Sequence, residues 1–210
     1  MAEILKDLAK SKGQIRDEQL KRLVFDVRKG NTSAFEDLVR LCEKGVYDVA
    51  LQVTKNREDA MDVSQNTFLK LWQLLSDTPS KDEIDSWYSY ILRMAKNCAL
   101  DYLRKQSIRR QDSLLSEDED GELREMEVAD EDLYSNPALA YERKERIEAV
   151  REAISSLDEK YGQALILREN EGCSYKEISD ILGIEIGTVK SKIFRARSLV
   201  KEYLEKRNIF

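Results

Sequence analysis

Residues 174–197 read Ser174-Tyr-Lys-Glu177-Ile-Ser-Asp-Ile-Leu-Gly183-Ile-Glu-Ile-Gly187-Thr-Val-Lys-Ser-Lys-Ile-Phe-Arg-Ala-Arg197. Ser174 and Glu177 stand at capping-box spacing, where each side chain satisfies the other residue's free backbone amide and starts a helix. Ile178, Ile181 and Leu182 then face inward, Gly183 permits a sharp turn, and a second helix begins near Gly187. This is helix-turn-helix geometry, in which the first residues of the second helix enter the major groove of DNA. Here they are Thr188, Lys190, Ser191, Lys192, Phe194, Arg195 and Arg197. Val189, Ile193 and Ala196 match the buried spacing, so Lys190, Ser191, Phe194 and Arg195 are left to meet base edges. Lys192 and Arg197 are placed to neutralise phosphates.

The overall charge argues the other way. With 35 Lys and Arg against 41 Asp and Glu, the chain of 210 residues carries −6, and phosphate binding needs a basic surface. The distribution resolves the conflict. Residues 111–135 hold eleven acids and one base, a net of −10, a self-repelling composition that cannot bury enough apolar area to order itself. It reads as a flexible linker. From Ile186 to Phe210 the charge is +5, and from Ser86 to Arg110 it is again +5, through Arg93, Lys96, Arg104, Lys105, Arg109 and Arg110 against Asp101. The second cluster interleaves Trp87, Tyr88, Tyr90 and Tyr102, and aromatic rings beside cations suit unstacked single-stranded bases. Aromatics at helical spacing are equally core formers, and Tyr90 and Tyr102 are the expected core members.

The rest of the chain is helical in pattern, with only 2 prolines and 8 glycines. Asp17 to Lys29 places Leu20, Leu23, Val24 and Val27 on one face and ends at Gly30. Ser33 and Glu36 form a second capping-box pair ahead of Leu38, Leu41 and Cys42. The pattern resumes from Val46 through Val53, breaks at Thr54-Lys55-Asn56, and restarts from Ala60 to Leu75. An uninterrupted run follows from Trp87 to Lys105, and periodicity returns after Pro137. Strand-like alternation is not sustained anywhere. The expectation is an all-α chain of two small helical domains, residues 1–110 and 139–210, joined by the acidic linker 111–138.

Several functions are excluded on composition. The absence of histidine removes Ser-His-Asp and Cys-His catalysis and His-ligated metals. Cys42, Cys98 and Cys173 lie far apart, without the close pairs of a zinc knuckle or redox motif, and read as reduced, buried thiols. No metal or cofactor is expected. Neither a signal peptide nor a run of apolar residues long enough for a membrane span is present, so a cytoplasmic protein is expected.

Four segments in order, Ala34 to Leu38, Asp62 to Trp72, Ile91 to Arg104 and Gly187 to Arg197, resemble the bacterial extracytoplasmic-function (ECF, group four) sigma factors of the sigma-70 family. The resemblance spans Asp17 to Leu204. It implies a sigma-two and a sigma-four domain that bind core RNA polymerase and direct it to promoters, with no enzymatic activity of its own. Asp62, Gln65, Phe68 and Leu69 would dock on the clamp coiled coil of the largest subunit, and the sigma-four domain on the flap of the second largest. Arg93, Lys96, Asn97, Arg104 and Lys105 would read and help melt the minus-10 element, and the 188–197 helix the minus-35 element. An anti-sigma factor is a further implied partner. The family often carries Trp seven residues before the asparagine, where this chain has Tyr90.

Two other readings compete. A helix-turn-helix regulator with an N-terminal sensing or partner-binding domain would bind duplex DNA unaided, often as a symmetric dimer. An enzyme using carboxylates and a divalent metal needs clustered acids on rigid elements, whereas the densest acids here lie in the linker.

Overall fold

Hydrophobic periodicity close to 3.6 runs along nearly the whole chain, and the elements it builds are helices. The computed structural model describes residues 2–77, 84–112 and 147–207, with side chains described from residue 15 and, in the second stretch, as far as 108. Helix α1 is Ala2–Arg28, α2 Thr32–Thr54, α3 Arg57–Asp77 and α4 Trp87–Asp112. Residues 147–155 form α5, followed by α6 Glu159–Glu169, α7 Tyr175–Leu182 and α8 Ile186–Lys206. No strand occurs among the described residues. Most of the linker expected at 111–138 lies outside them, as does most of the stretch preceding α4.

Three local readings are corrected. The α2 cap is Asn31 rather than Ser33: the Asn31 side chain accepts from the amides of Ser33 and Ala34, and Ser33 lies inside the helix. Asn at N-cap outcompetes a serine two residues later because its carbonyl oxygen reaches both free amides at once. Secondly, α2 runs through Gly45 without the interruption expected before Val46. A glycine mid-helix is unfavourable by about 1 kcal/mol, and here it makes room: an added Cβ would collide with the Tyr88 hydroxyl and lie 2.7 Å from Glu171 Oε2. Finally, the buried aromatics of α4 are Trp87 and Tyr88, whereas Tyr90 and Tyr102 are only half-buried. The Arg28 guanidinium of α1 lies 5.5 Å from the Trp87 ring, and the Tyr88 hydroxyl reaches past Gly45 of α2 to Glu171.

Helices α1 to α4 pack through Leu20, Val24, Leu38, Cys42, Val46, Leu71, Leu75, Ile91 and Leu92. Each such leucine or isoleucine contributes about 2 kcal/mol by leaving water. Tyr102 closes the far end, donating its hydroxyl to Asp59 Oδ1 at 2.5 Å. Helices α5 to α8 form the second module, where Leu157, Leu165 and Ala196 hold α6 against α8.

The modules pack on each other. Helix α4 lies on α7, and α2 on α6. One buried cluster runs through both modules, joining Val46, Ile91 and Ala95 to Cys173, Ile178 and Ile181. Polar ties follow the same seam: Lys55 Nζ donates to the carbonyls of Ser155 and Leu157 at 3.2 and 3.3 Å, and Asn170 donates to Asp48. Lys55 is the one described non-glycine residue with positive φ, at 57°. That left-handed turn ends α2.

Candidate nucleic-acid interface

The capping box at α7 forms as its spacing demands. Glu177 accepts from the Ser174 amide at 2.7 Å, and Ser174 Oγ accepts from the Glu177 amide at 3.2 Å. Gly183 ends the helix at φ 69°, a conformation that costs little only without a Cβ. After the turn, α8 begins at Ile186, one residue before the expected Gly187. Val189, Ile193 and Ala196 are fully buried, so the opposite face is free. Thr188, Lys190, Ser191, Arg195 and Arg197 are exposed there, and Phe194 is 74% exposed. An aromatic ring this far into water forms no part of the core.

Arg197 holds Glu169 of α6 at 2.5 Å, and Lys192 is half-buried on the side of α8 nearer Lys96. Lys190 lies 5.9 Å and Arg168 4.8 Å from the Tyr175 ring centroid, a cationic rim beside the reading face.

On α4, Tyr90, Arg93, Asn97 and Arg104 share one face at helical spacing. Arg93, Asn97, Arg104 and Lys105 are exposed. Tyr90 stands edge-on to Trp87 at 5.8 Å, and the Arg93 guanidinium lies 5.5 Å from the Tyr90 ring. Arg104 also pairs with Asp101 at 3.2 Å. Lys96 departs from the set: it is half-buried and donates to the Leu182 carbonyl at 2.9 Å. Burial pulls its ammonium below the ordinary lysine pKa, and the Lys192 cation works in the same direction.

The α3 set divides too. Asp62, Gln65 and Leu69 lie on an exposed face, Leu69 at 62%, while Phe68 is half-buried against the core. Met61 is also exposed there and was missed by sequence reasoning. Its spacing of four to Gln65 and eight to Leu69 is the signal that reveals it. The described residues thus present three surfaces, a helix-turn-helix reader, a basic aromatic helix and an apolar-acidic helix face.

These features define an all-helical DNA-binding factor. Sigma-70 region 2 matches residues 38–109, and Sigma-70, region 4 matches residues 147–200. The RNA polymerase sigma-H factor of Pseudomonas aeruginosa is 32% identical over 191 residues, covering 91% of this chain and 96% of that protein. The ECF RNA polymerase sigma-E factor of Haemophilus influenzae is 32% identical over 184 residues, covering 87% and 94%. Two solved structures share the fold. The sigma factor RpoE in complex with the anti-sigma factor NepR from Bartonella quintana aligns at TM-score 0.59 and 22% identity, covering 81% of this chain and 96% of that one. CnrH in complex with the cytosolic domain of CnrY aligns at 0.56 and 21%, covering 90% and 98%. The chain belongs to the extracytoplasmic-function sigma factors of the sigma-70 family. Its function is promoter-specific initiation of transcription with RNA polymerase. No helix among the described residues is long and apolar enough to cross a membrane.

Proposed function

We propose a division of labour in which residues 1–110 dock on core polymerase and open the minus-10 element, 111–138 tether, and 139–210 read the minus-35 element. The observation that carries it is the α8 face, where Lys190, Ser191, Phe194 and Arg195 are exposed to water around a fully buried Val189, Ile193 and Ala196 seam. A rigid helix offering a fork, a hydroxyl and an aromatic ring suits base edges in the major groove, where arginine pairs with guanine and phenylalanine meets a thymine methyl. Thr188, Lys192 and Arg197 flank it toward phosphates.

On α4, Arg93, Asn97, Arg104 and Lys105 approach the minus-10 element, joined by Lys96 once it leaves Leu182. Asp62, Gln65, Phe68 and Leu69 meet the clamp coiled coil of the largest subunit, and the second module meets the flap of the second largest. The protein works in the cytoplasm, without metal, cofactor or catalysis of its own, and an anti-sigma factor is a partner of the kind seen with its structural relatives.

Binding of labelled core polymerase tests the docking assignment. Leu69→Asp lowers affinity at least tenfold while helicity stays unchanged, because the side chain is already mostly in water. Equal affinity for both proteins would contradict it.

A further inference from the structure

Helix α1 buries Leu20, Val24 and Val27 in the first module, so its outer face should be polar. Two described residues break that rule: Ile15 is 54% exposed and Phe25 58%. A lone apolar side chain on a surface is ordinary, but the Phe25 ring stands among cations. The Lys29 ammonium lies 4.1 Å from its centroid, and Lys21 and Arg22, one turn earlier, are exposed beside it. From residue 20 to residue 30 the bases are Lys21, Arg22, Arg28 and Lys29 and the one acid is Asp26, a net of +3.

This face is fixed relative to the basic aromatic helix. Asp17 of α1 accepts from the Tyr88 amide at 3.1 Å and from Ser86 Oγ at 3.3 Å, which ties α1 to the start of α4. The Arg28 guanidinium lies 5.5 Å from the Trp87 ring, Trp87 stands edge-on to Tyr90, and Arg93 lies 5.5 Å from the Tyr90 ring. Rings and cations therefore alternate across the helix boundary, from Lys29 and Phe25 through Arg28 to Trp87, Tyr90 and Arg93.

Such a row suits one kind of partner. An unpaired strand offers bases that stack on aromatic faces and phosphates that meet the cations between them, and neither interaction depends on base identity. Duplex DNA keeps its bases stacked inside and has no use for Phe25. The density of cations around the ring favours a polyanion over an apolar protein surface.

We propose that the outer face of α1, centred on Phe25 with Lys21, Arg22 and Lys29, continues the basic aromatic face of α4 and holds the unpaired DNA strand where it runs on past the minus-10 element, without base preference. The proposal rests on the reading of α4 given above. It lies outside the matched family regions, 38–109 and 147–200.

The test titrates holoenzyme, assembled from core polymerase and the full chain, with two kinds of promoter probe. One is unpaired across the minus-10 element only; in the other a single strand continues unpaired for several nucleotides, each strand and each direction being tried separately. With the unmodified chain, one of the longer probes binds about tenfold more tightly, the gain expected of a stacked base. Scrambling the added nucleotides leaves that gain intact. Phe25→Ala and Phe25→Leu both abolish it, since leucine is apolar but has no π face, whereas Phe25→Trp retains it. Lys29→Gln reduces the gain and lowers the salt dependence by about one released counterion.

Phe25 is mostly in water, so its variants should keep the urea midpoint of the unmodified chain; should one lose stability, Lys29→Gln decides. A gain that survives Phe25→Ala or Phe25→Leu overturns the proposal, as does an equal loss on the short probe. A holoenzyme that recognises the minus-10 element yet gains nothing from any longer strand overturns it too, and leaves the reading of α4 standing. A holoenzyme indifferent to the minus-10 element on the short probe contradicts the reading of α4, and the proposal falls with it.

Discussion

The Lys96 ammonium donates to the Leu182 carbonyl at 2.9 Å, tying the basic aromatic helix to the last turn before the helix-turn-helix bend. One lysine thereby couples two surfaces proposed to contact DNA at different promoter elements. The junction it belongs to is polar at its edges and apolar within.

Arg195 and Lys192 should separate on promoter variants. Arg195→Ala relaxes minus-35 selectivity by about 1 to 3 kcal/mol, as loss of a bidentate base contact does, whereas Lys192→Ala weakens binding evenly across sequences. Holoenzyme binding to cognate and scrambled minus-35 elements, at fixed salt, measures both. Equal effects of Arg195→Ala on the two sites would contradict its role.

Ser174→Ala removes half of the capping box at the start of α7. The cost is about 1 kcal/mol, read as a lower urea midpoint with an unchanged denaturant slope. Ser174→Asp should retain most of the stability, because a carboxylate accepts from the same amide.

The packing of the two modules should depend on pH. Burial raises the Glu171 carboxyl above the ordinary carboxylate pKa, opposed by the Tyr88 hydrogen bond, reinforced by Asp48, and opposed again by Arg16 and Lys44. Cys42 of α2 and Cys173 face the same cluster and remain neutral thiols at physiological pH. A carboxyl whose pKa is higher with the modules packed than apart favours the packed arrangement below its ordinary value, and this contribution is lost as pH rises through the raised value. Asp48, raised by burial on the same seam, acts in the same direction. Energy transfer between dyes on Glu36→Cys and Lys201→Cys, both exposed and one in each module, should therefore increase as pH falls from neutral toward the ordinary carboxylate range. Glu171→Gln should reduce that slope and leave the remainder to Asp48.

The thiols report separation of the modules independently. Burial pushes Cys42 up to about 12 and raises Cys173 as well, so neither reacts while the modules are packed. Cys173 belongs to the cluster that bridges the modules. Its alkylation should accelerate in Arg16→Ala while that of Cys98, buried between α2, α3 and α4, stays slow. Mass spectrometry of timed alkylation resolves the sites.

The helix-turn-helix was legible because every signal there is local: Ser174 with Glu177, Gly183 in its left-handed turn, and the three-and-four spacing of Val189, Ile193 and Ala196. The two basic faces were legible from segment charge. What escaped the reading depends on residues distant along the chain. Ser33 has a sound cap spacing and loses to Asn31 only through the actual backbone path. Trp87 and Tyr88 take the buried positions because α1 and α2 lie over them. Gly45 looks like a helix breaker until Tyr88 and Glu171 are seen to need its missing Cβ. Glu171 and Arg16 are 155 residues apart, and no periodicity links them.

Transcription reconstituted with core polymerase and this chain across a genomic promoter library tests the central claim most directly. The account predicts initiation confined to promoters sharing a minus-35 and a minus-10 element, with selectivity at minus-35 lost in Arg195→Ala. Failure to form a holoenzyme, or absence of specific starts at any promoter, would contradict it.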